Sequence, residues 1–434
     1  MGADTLAQAR ARDAADPLRS LRERFALPVD ERGAPLVYLC GHSLGLQPLA
    51  ARELVVEELD EWAQRAVEGH EHARRPWVPY HQNLRSGLAT LTGAGPGEVV
   101  AMNSLTVNLH LMFASFYRPA GERRRILIEA GAFSSDRHAV ASQLAWHGLD
   151  PHDNLIELAP AAGADLIEER AIEALLAARG REIALVWWPG VQFRTGQAFD
   201  IARIARAAHA HGCLAGFDLA HSIGNTPLAL HDSAADFAVW CSYKYLNGGP
   251  GAIGGCFVHE RHTVALPKSA HRGALPGARL AGWWGHEADT RFLMEAQFHA
   301  ADGADSWQVS NPPILAAAPL VASLALFAAA GMEPLRAKSV ALTGLLEELL
   351  QPLEPAVQII TPREPAARGC QLSMRIADGA AEGRRVFEQL RAAGVVCDWR
   401  TPDIIRVAPV PLYNRFEDVV HFAERLARVL RAGA

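Results

Sequence analysis

Residues 241–255 read Cys241-Ser-Tyr-Lys-Tyr-Leu-Asn-Gly-Gly-Pro-Gly-Ala-Ile-Gly-Gly255. Just before them runs Asp236-Phe-Ala-Val-Trp240, which is short, apolar and bounded like a buried strand. After Asn247 come five glycines and a proline, which break helices and strands alike. Lys244 is therefore expected in a loop just past a strand end, where α/β sheets build their active sites. A lysine held between Tyr243 and Tyr245 among apolar neighbours gives up solvation. Its uncharged amine becomes more accessible, which suits Schiff-base chemistry. Read alone, the stretch fits a surface lysine ahead of a flexible glycine loop at least as well.

Upstream, strand and helix patterns alternate. Residues 125–129 form a strand pattern, followed by the loop Phe133-Ser-Ser-Asp136 and a helix to about residue 146. Residues 183–188 give a second strand, with a helix near 201–211. Residues 214–218 give a third, ending in Asp218-Leu-Ala-His-Ser-Ile-Gly224. Such repetition argues for a mostly parallel sheet with helices on both faces. The loops after its strands share one rim, which would hold Phe133, Asp136, Asp218, His221 and Lys244. Residues 99–103 end another strand, and a helix starts at Ser104-Leu-Thr-Val with Asn103 or Ser104 as N-cap. Its free N–H groups and the Thr106 hydroxyl make a phosphate cradle. Ordinary capping explains the same residues.

The chain has 434 residues, 50% hydrophobic and 21% charged, enough for a large core and two domains. A net charge of −6 gives no basic surface for nucleic acid. The six cysteines are irregularly spaced without a CxxC pair, which reads as reduced thiols in a cytoplasmic protein. The N-terminus lacks the apolar core of a signal peptide. No apolar run reaches membrane-spanning length; residues 314–330 come nearest and read as a buried helix. Residues 1–35 read as a helix and an irregular arm, and a helix is expected over about 50–67. His70, Glu71 and His72 lack a third placed ligand and read as a solvated or substrate-facing loop. Residues 256–312 read as irregular. Beyond them lie helices near 313–330 and 334–352, strands near 356–360, 370–376 and 404–408, and a last helix from about Phe416. Three parts result: an N-terminal arm (1–44) packing with the small domain, a large domain (45–312) and a small C-terminal α/β domain (313–434).

A lysine of this kind could serve pyridoxal phosphate (PLP). That cofactor needs an amine for its aldehyde, a carboxylate to keep its ring nitrogen protonated, helix-end N–H groups for its phosphate and an aromatic face over its ring. Lys244, Asp218, Ser104–Thr106 and Phe133 meet these needs in turn. Jointly they are more specific than any one of them.

The chain resembles fold-type-I PLP enzymes of the aminotransferase superfamily, and most closely the kynureninase family. The matching motifs are Gly41-x-Ser-Leu-Gly-Leu-Gln-Pro48, Arg75-Pro-Trp77, Met102-Asn-x-Leu-Thr-Val-Asn-Leu-His110, Phe133-x-Ser-Asp136 and Gly216-Phe-Asp-Leu-Ala-His221. Further on come Cys241-Ser-Tyr-Lys-Tyr-Leu-Asn247, Gly282-Trp-x-Gly-His286, Ser310-Asn-Pro-Pro-Ile314 and Arg406-Val-Ala-Pro-Val-Pro-Leu-Tyr-Asn414. The likeness runs from about residue 36 to the end. It implies a seven-stranded-type sheet and hydrolytic Cβ–Cγ cleavage of L-kynurenine or 3-hydroxy-L-kynurenine. It also implies a small amino-acid substrate, no membrane and no nucleic acid, and a homodimer whose subunits share active sites.

By the same resemblance, Lys244 forms the Schiff base and later moves protons, and Asp218 pairs with the ring nitrogen. His221 and Asp136 lie beside the cofactor. Leu105 and Thr106 meet its phosphate, and Phe133 stacks on the ring. Ser134 and Ser135 belong to the same cofactor-binding loop. Tyr243 contacts the phosphate and relays a proton. Trp283 and Asn311 complete the site from the second subunit. Arg406 grips the substrate α-carboxylate, a task suited to its fork. His70 and Asn311 line the aromatic end; with Ser310 they are polar groups able to meet a ring hydroxyl, so 3-hydroxykynurenine is expected to be accepted well. Two positions depart from the family: His42 stands where the motif has Asn, and Pro189 where some members carry a hydroxyl. Blander roles exist: Trp283 as core, His70 as a solvated loop residue, Asp218 as a helix cap, and Arg406 paired with Asp403 on the surface. The rivals are another enzyme of the fold, such as a class V aminotransferase or a cysteine desulfurase, and a non-catalytic descendant.

Overall fold

The computed structural model describes residues 3–263, 279–294 and 296–433. Its centre is a seven-stranded mixed sheet. In chain order the strands are β1 (Val99–Ala101), β2 (Arg125–Glu129), β3 (Leu155–Leu158), β4 (Ile183–Pro189), β5 (Leu214–Asp218), β6 (Phe237–Trp240) and β7 (Gly255–Val258). Their spatial order is β1-β7-β6-β5-β4-β2-β3. Strands β2 to β6 pair in parallel, and β7 runs against both its neighbours.

Burial on both faces explains why the central strands read as unbroken apolar runs. Ile183 to Trp188 of β4 are all buried. Helices α4 (Leu105–Phe116), α5 (Ser134–Trp146), α6 (Glu169–Arg179) and α7 (Ile201–Ala210) follow or link the strands. In α7, Ile201, Ile204, Ala205 and Ala208 recur on one buried face, and the Asp200 carboxylate caps the helix by accepting from Arg203 N.

The remaining chain wraps this unit. Helices α2 (Leu49–Arg65) and α3 (Gln82–Thr92) pack against α8 (Ile314–Ala330), whose Leu320, Leu324 and Phe327 join the main core. Helix α9 (Met332–Leu350) leads into a second core. That core is built on an antiparallel sheet of β8 (Val357–Ile359), β9 (Leu372–Ile376), β10 (Asp398–Arg400) and β11 (Ile404–Val407), with α10 (Ala380–Ala392) and α11 (Phe416–Gly433). The arm helix α1 (Ala3–Ala15) lies on α11, where the Asp13 carboxylate accepts from Phe416 N and Glu417 N. Val37 and Tyr38 pair in parallel with Val395 and Val396.

The stretch expected to be irregular after Gly255 contains β7, and residues 264–278 of it lie outside the described residues. Glycine acts there as a packing residue. A Cβ on Gly255 would collide with the Trp240 indole, so a residue without a side chain lets β6 and β7 pair. Strands β3 and β10, of four and three residues, were also missed, as were helices α3, α6 and α10.

Asp236 fixes the strand that leads to Lys244. Its buried carboxylate accepts from Ala215 N (2.7 Å), His209 Nε2 (2.8 Å), His262 Nε2 (2.8 Å) and Arg261 Nη2 (2.5 Å). Burial would raise its pKa, but these donors hold it well below the ordinary 3.8. Asp236→Asn should therefore cost about 3 kcal/mol of stability in urea unfolding at neutral pH. A depressed folded pKa contributes stability above the unfolded value, lost as pH falls through the folded value. The difference from wild type should persist down to about pH 4 and close only below it.

Candidate active site

The parallel strands end along one rim. Glu129 closes β2, Pro189 closes β4, and Asp218 closes β5 beside it in register. The turn after β6 carries Tyr243 and Lys244. These residues line a cleft with Leu105, Thr106, Phe133, Ser135, Asp136, Phe193 and His221, among others. Nine of the sequence-assigned site residues thus meet: Lys244, Tyr243, Asp218, His221, Leu105, Thr106, Phe133, Ser135 and Asp136.

The Lys244 turn is held tightly. Lys244 O accepts from Asn247 N (3.0 Å), Ser242 O from Gly248 N (2.8 Å) and Tyr243 O from Gly45 N (2.8 Å). Gly45 comes from the early Gly41–Pro48 motif. A Cβ there would collide with the Lys244 carbonyl and Asn247, so glycine is needed for this approach. Lys244 Nζ lies 3.0 Å from His221 Nε2 and 5.8 Å from the centre of the Phe133 ring. Burial, with the Lys244 charge adding to it, pushes the His221 pKa well below its usual value, so the ring is neutral and accepts from the amine.

Two helix N-termini point into the cleft. Asn103 was a candidate cap, but it takes φ +45° and its amide donates to Asn108 Oδ1. Ser104 holds the cap position of α4 without a side-chain cap bond, and Phe133 does the same at α5. Both ends keep free N–H groups, and the Thr106 and Ser135 hydroxyls beside them lie 2.7 Å apart. Two helix N-termini with hydroxyls beside them have the chemistry that suits an anion. Ser134 is exposed and outside the lining of the cleft.

The opposite wall is acidic. Asp218 Oδ1 accepts from Ala220 N (2.8 Å) in a turn after the strand, not as the cap of a following helix. Burial raises the Asp218 pKa, and the Lys244 charge works against that rise. Asp136 accepts from Trp187 Nε1 (3.1 Å), and burial together with the Asp218 charge holds it well above the carboxylate range. Burial also raises Tyr243, which keeps its phenolic proton at neutral pH.

Arg406 is fully buried behind Phe193. It donates to Phe193 O (2.5 Å) and pairs with Asp398, which also meets Arg400 at 3.1 Å and lies 3.5 Å from His42 Nε2. The surface pairing with Asp403 is not formed. Asp403 instead holds Arg194 and Arg375, because Arg406 points inward from β11. Asp398, Glu129 and Phe193 were not found from the sequence. The signal for Glu129 was an acid closing an apolar strand on the rim already chosen.

The other assigned residues stand apart. His70, Trp283 and Asn311 line a separate groove with Val67, Val78 and Phe292. Trp283 is 46% exposed, so it is not a core tryptophan in a single chain. Ser310 is exposed next to Asn311 and lines neither cavity.

Comparison with known proteins gives a consistent answer. The kynureninase C-terminal domain family matches residues 335–426. A kynureninase from Xanthomonas euvesicatoria pv. vesicatoria (strain 85-10) is 59% identical over 421 residues, covering 97% of each chain. One from Xanthomonas axonopodis pv. citri (strain 306) is 58% identical over the same coverage. Among solved structures, the Escherichia coli cysteine desulfurase CsdA superposes with a TM-score of 0.74 at 17% identity, covering 96% of this chain and 98% of that one. The cystine C–S lyase C-DES, complexed with its product cysteine persulfide, gives 0.73 at 19%, covering 90% and 97%. At these identities the structural likeness is one of fold.

Because backbone opposes a new methyl group at position 45, Gly45→Ala should lower stability by about 2 kcal/mol or more. Thermal melting of the purified variant against wild type measures it.

Proposed function

The chain belongs to the kynureninase family, and from that premise we propose the part each residue of the cleft takes in the reaction. The family hydrolyses the Cβ–Cγ bond of L-kynurenine or 3-hydroxy-L-kynurenine to L-alanine and anthranilate or 3-hydroxyanthranilate. One observation carries the assignment: Lys244, Asp218 and two uncapped helix N-termini meet in one cleft. The fit to PLP is chemical. The helix ends and the Thr106 and Ser135 hydroxyls suit a phosphate, the half-exposed Phe133 ring suits stacking, and Asp218 suits a ring nitrogen. When bound, PLP supplies an aldehyde for the substrate amine and a cationic ring that draws electrons from the α-carbon.

The protein's own groups do the rest. Lys244 Nζ holds the place from which the substrate α-proton is taken, and neutral His221 steadies it through their 3.0 Å contact. Asp218 keeps its negative charge facing the ring nitrogen, and Tyr243 keeps a phenolic proton available for relay. Arg406 receives the substrate carboxylate with its fork, taking over from Asp398, which occupies the guanidinium meanwhile. Water adds at the γ-carbonyl and the bond to the β-carbon breaks. Lys244→Ala should abolish turnover of kynurenine in a steady-state assay; a normal rate would refute this assignment.

The separate groove of His70, Trp283 and Asn311 supports a homodimer in which these residues, with Ser310, complete the partner's cleft. Mixing two inactive variants, Lys244→Ala and Asn311→Ala, should then restore about a quarter of wild-type activity, from the one intact site of each hybrid. No recovery would place both functions within one chain. The polar groups His70, Ser310 and Asn311 favour 3-hydroxykynurenine, whose extra hydroxyl they can bond. Its kcat/KM should exceed that of kynurenine by about tenfold or more.

A desulfurase needs a low-pKa thiol. All six cysteines are unpaired, none lines the cleft, and burial raises the pKa of each. Free thiols also support a reducing, cytoplasmic setting. Among the described residues no single helix is long and apolar enough to cross a membrane.

A further inference from the structure

Glu129 has no part in the reaction as described, yet it lines the cleft at the end of β2. It is 3% exposed. Its Oε1 lies 3.4 Å from Gln192 Nε2, and its Oε2 has no hydrogen-bond partner among the described residues. Gln192 cannot turn to offer anything else. Its side-chain oxygen accepts from Arg194 N (2.6 Å) and Thr195 N (2.8 Å), so its NH2 group must face Glu129.

An anionic Glu129 would thus be desolvated with one long neutral hydrogen bond, a costly state. The titratable groups that line the cleft with it are Asp136 from α5, Asp218 from β5, His221 after β5, and Tyr243 and Lys244 after β6. His221 is neutral and Tyr243 keeps its proton. Among the lining residues, Lys244 is then the one cation opposite three carboxyl groups. A single positive charge cannot balance three buried anions, and Asp218 has Lys244 and Ala220 N on its side.

We propose that Glu129 is a neutral carboxylic acid at physiological pH, a positioning residue that leaves Asp218 as the ionised carboxyl opposite Lys244. This rests on the reading of Asp218 as the carboxylate that faces the cofactor ring. Burial pushes the Glu129 carboxyl from 4.5 up to about 8; the Gln192 bond lowers it, and the Asp218 charge adds to the rise. A raised folded pKa means that the folded chain keeps a proton the unfolded chain has released. Stability therefore falls as pH rises from the unfolded value toward the folded one.

The test compares wild type and Glu129→Gln, which keeps shape and neutrality but cannot titrate. In cofactor-free protein, the wild-type melting temperature should fall relative to the variant between about pH 5 and pH 8, then run level. At about pH 7 the two should bind PLP within about twofold, followed by visible absorbance. Parallel melting curves would overturn the proposal, as would a tenfold loss of PLP affinity in the variant, which would show that an anion is needed. Should the variant not fold, infrared spectra of cofactor-free wild type with 13C-labelled glutamate decide. A protonated carboxyl band at about pH 7 that disappears above about pH 8 is expected, and its absence refutes the idea. The melting and infrared readings do not depend on kynurenine cleavage, so they fail separately from the assignment of function.

Discussion

The attraction between the Lys244 charge and Asp218, buried at the end of β5, is the interaction on which the cleft depends. Burial penalises Asp136, Asp218 and Glu129 as anions, and each is pushed up by it. The lysine charge eases this penalty at Asp218, the acid next to it across β6. Burial, with the same charge adding to it, keeps the neighbouring His221 neutral. The acids differ in what each one meets: Lys244 and Ala220 N at Asp218, Trp187 Nε1 at Asp136, and only the Gln192 amide at Glu129. Such sorting is how carboxyl groups of one type take different roles in one pocket.

The rest of the chain keeps that lysine in place. Asp236 anchors the strand before it and Gly45 closes on the turn around it. The loop that brings Gly45 is itself locked to the C-terminal motif. A Cβ on Gly41 would strike Tyr413 and Val410, and Asn414 Nδ2 donates to Tyr38 O (2.9 Å). His42, in the same loop, is fully buried between the Arg406–Asp398 pair and the lysine, and burial keeps its ring neutral. Motifs far apart in sequence are therefore one piece of structure.

Much of this was legible in the residues. The parallel strands announced themselves as apolar runs because both faces are buried, and the rim followed from where those runs stop. Lys244, Asp218, Phe133 and Thr106 could be chosen because each ends a strand, follows one or starts a helix. What stayed hidden depended on contacts across the chain. Gly255 looked like a breaker because its packing partner, Trp240, lies on another strand. Arg406 had an acid three residues away in Asp403, but β-strand alternation turns the arginine inward to Asp398. Glu129 was read only as the last residue of a strand, and the fixed amide of Gln192 reveals its setting. Ser134 shared a loop with true lining residues but sits on the outer side of the first turn of α5.

The claim beneath all of this is that the Lys244 amine, and no other, reaches the cofactor aldehyde. Incubating the protein with PLP, reducing with borohydride and mapping peptides by mass spectrometry tests it directly. A single stoichiometric pyridoxyl-phosphate mass increment on Lys244 is the expected result. A label on another lysine, or none retained after reduction, would contradict it.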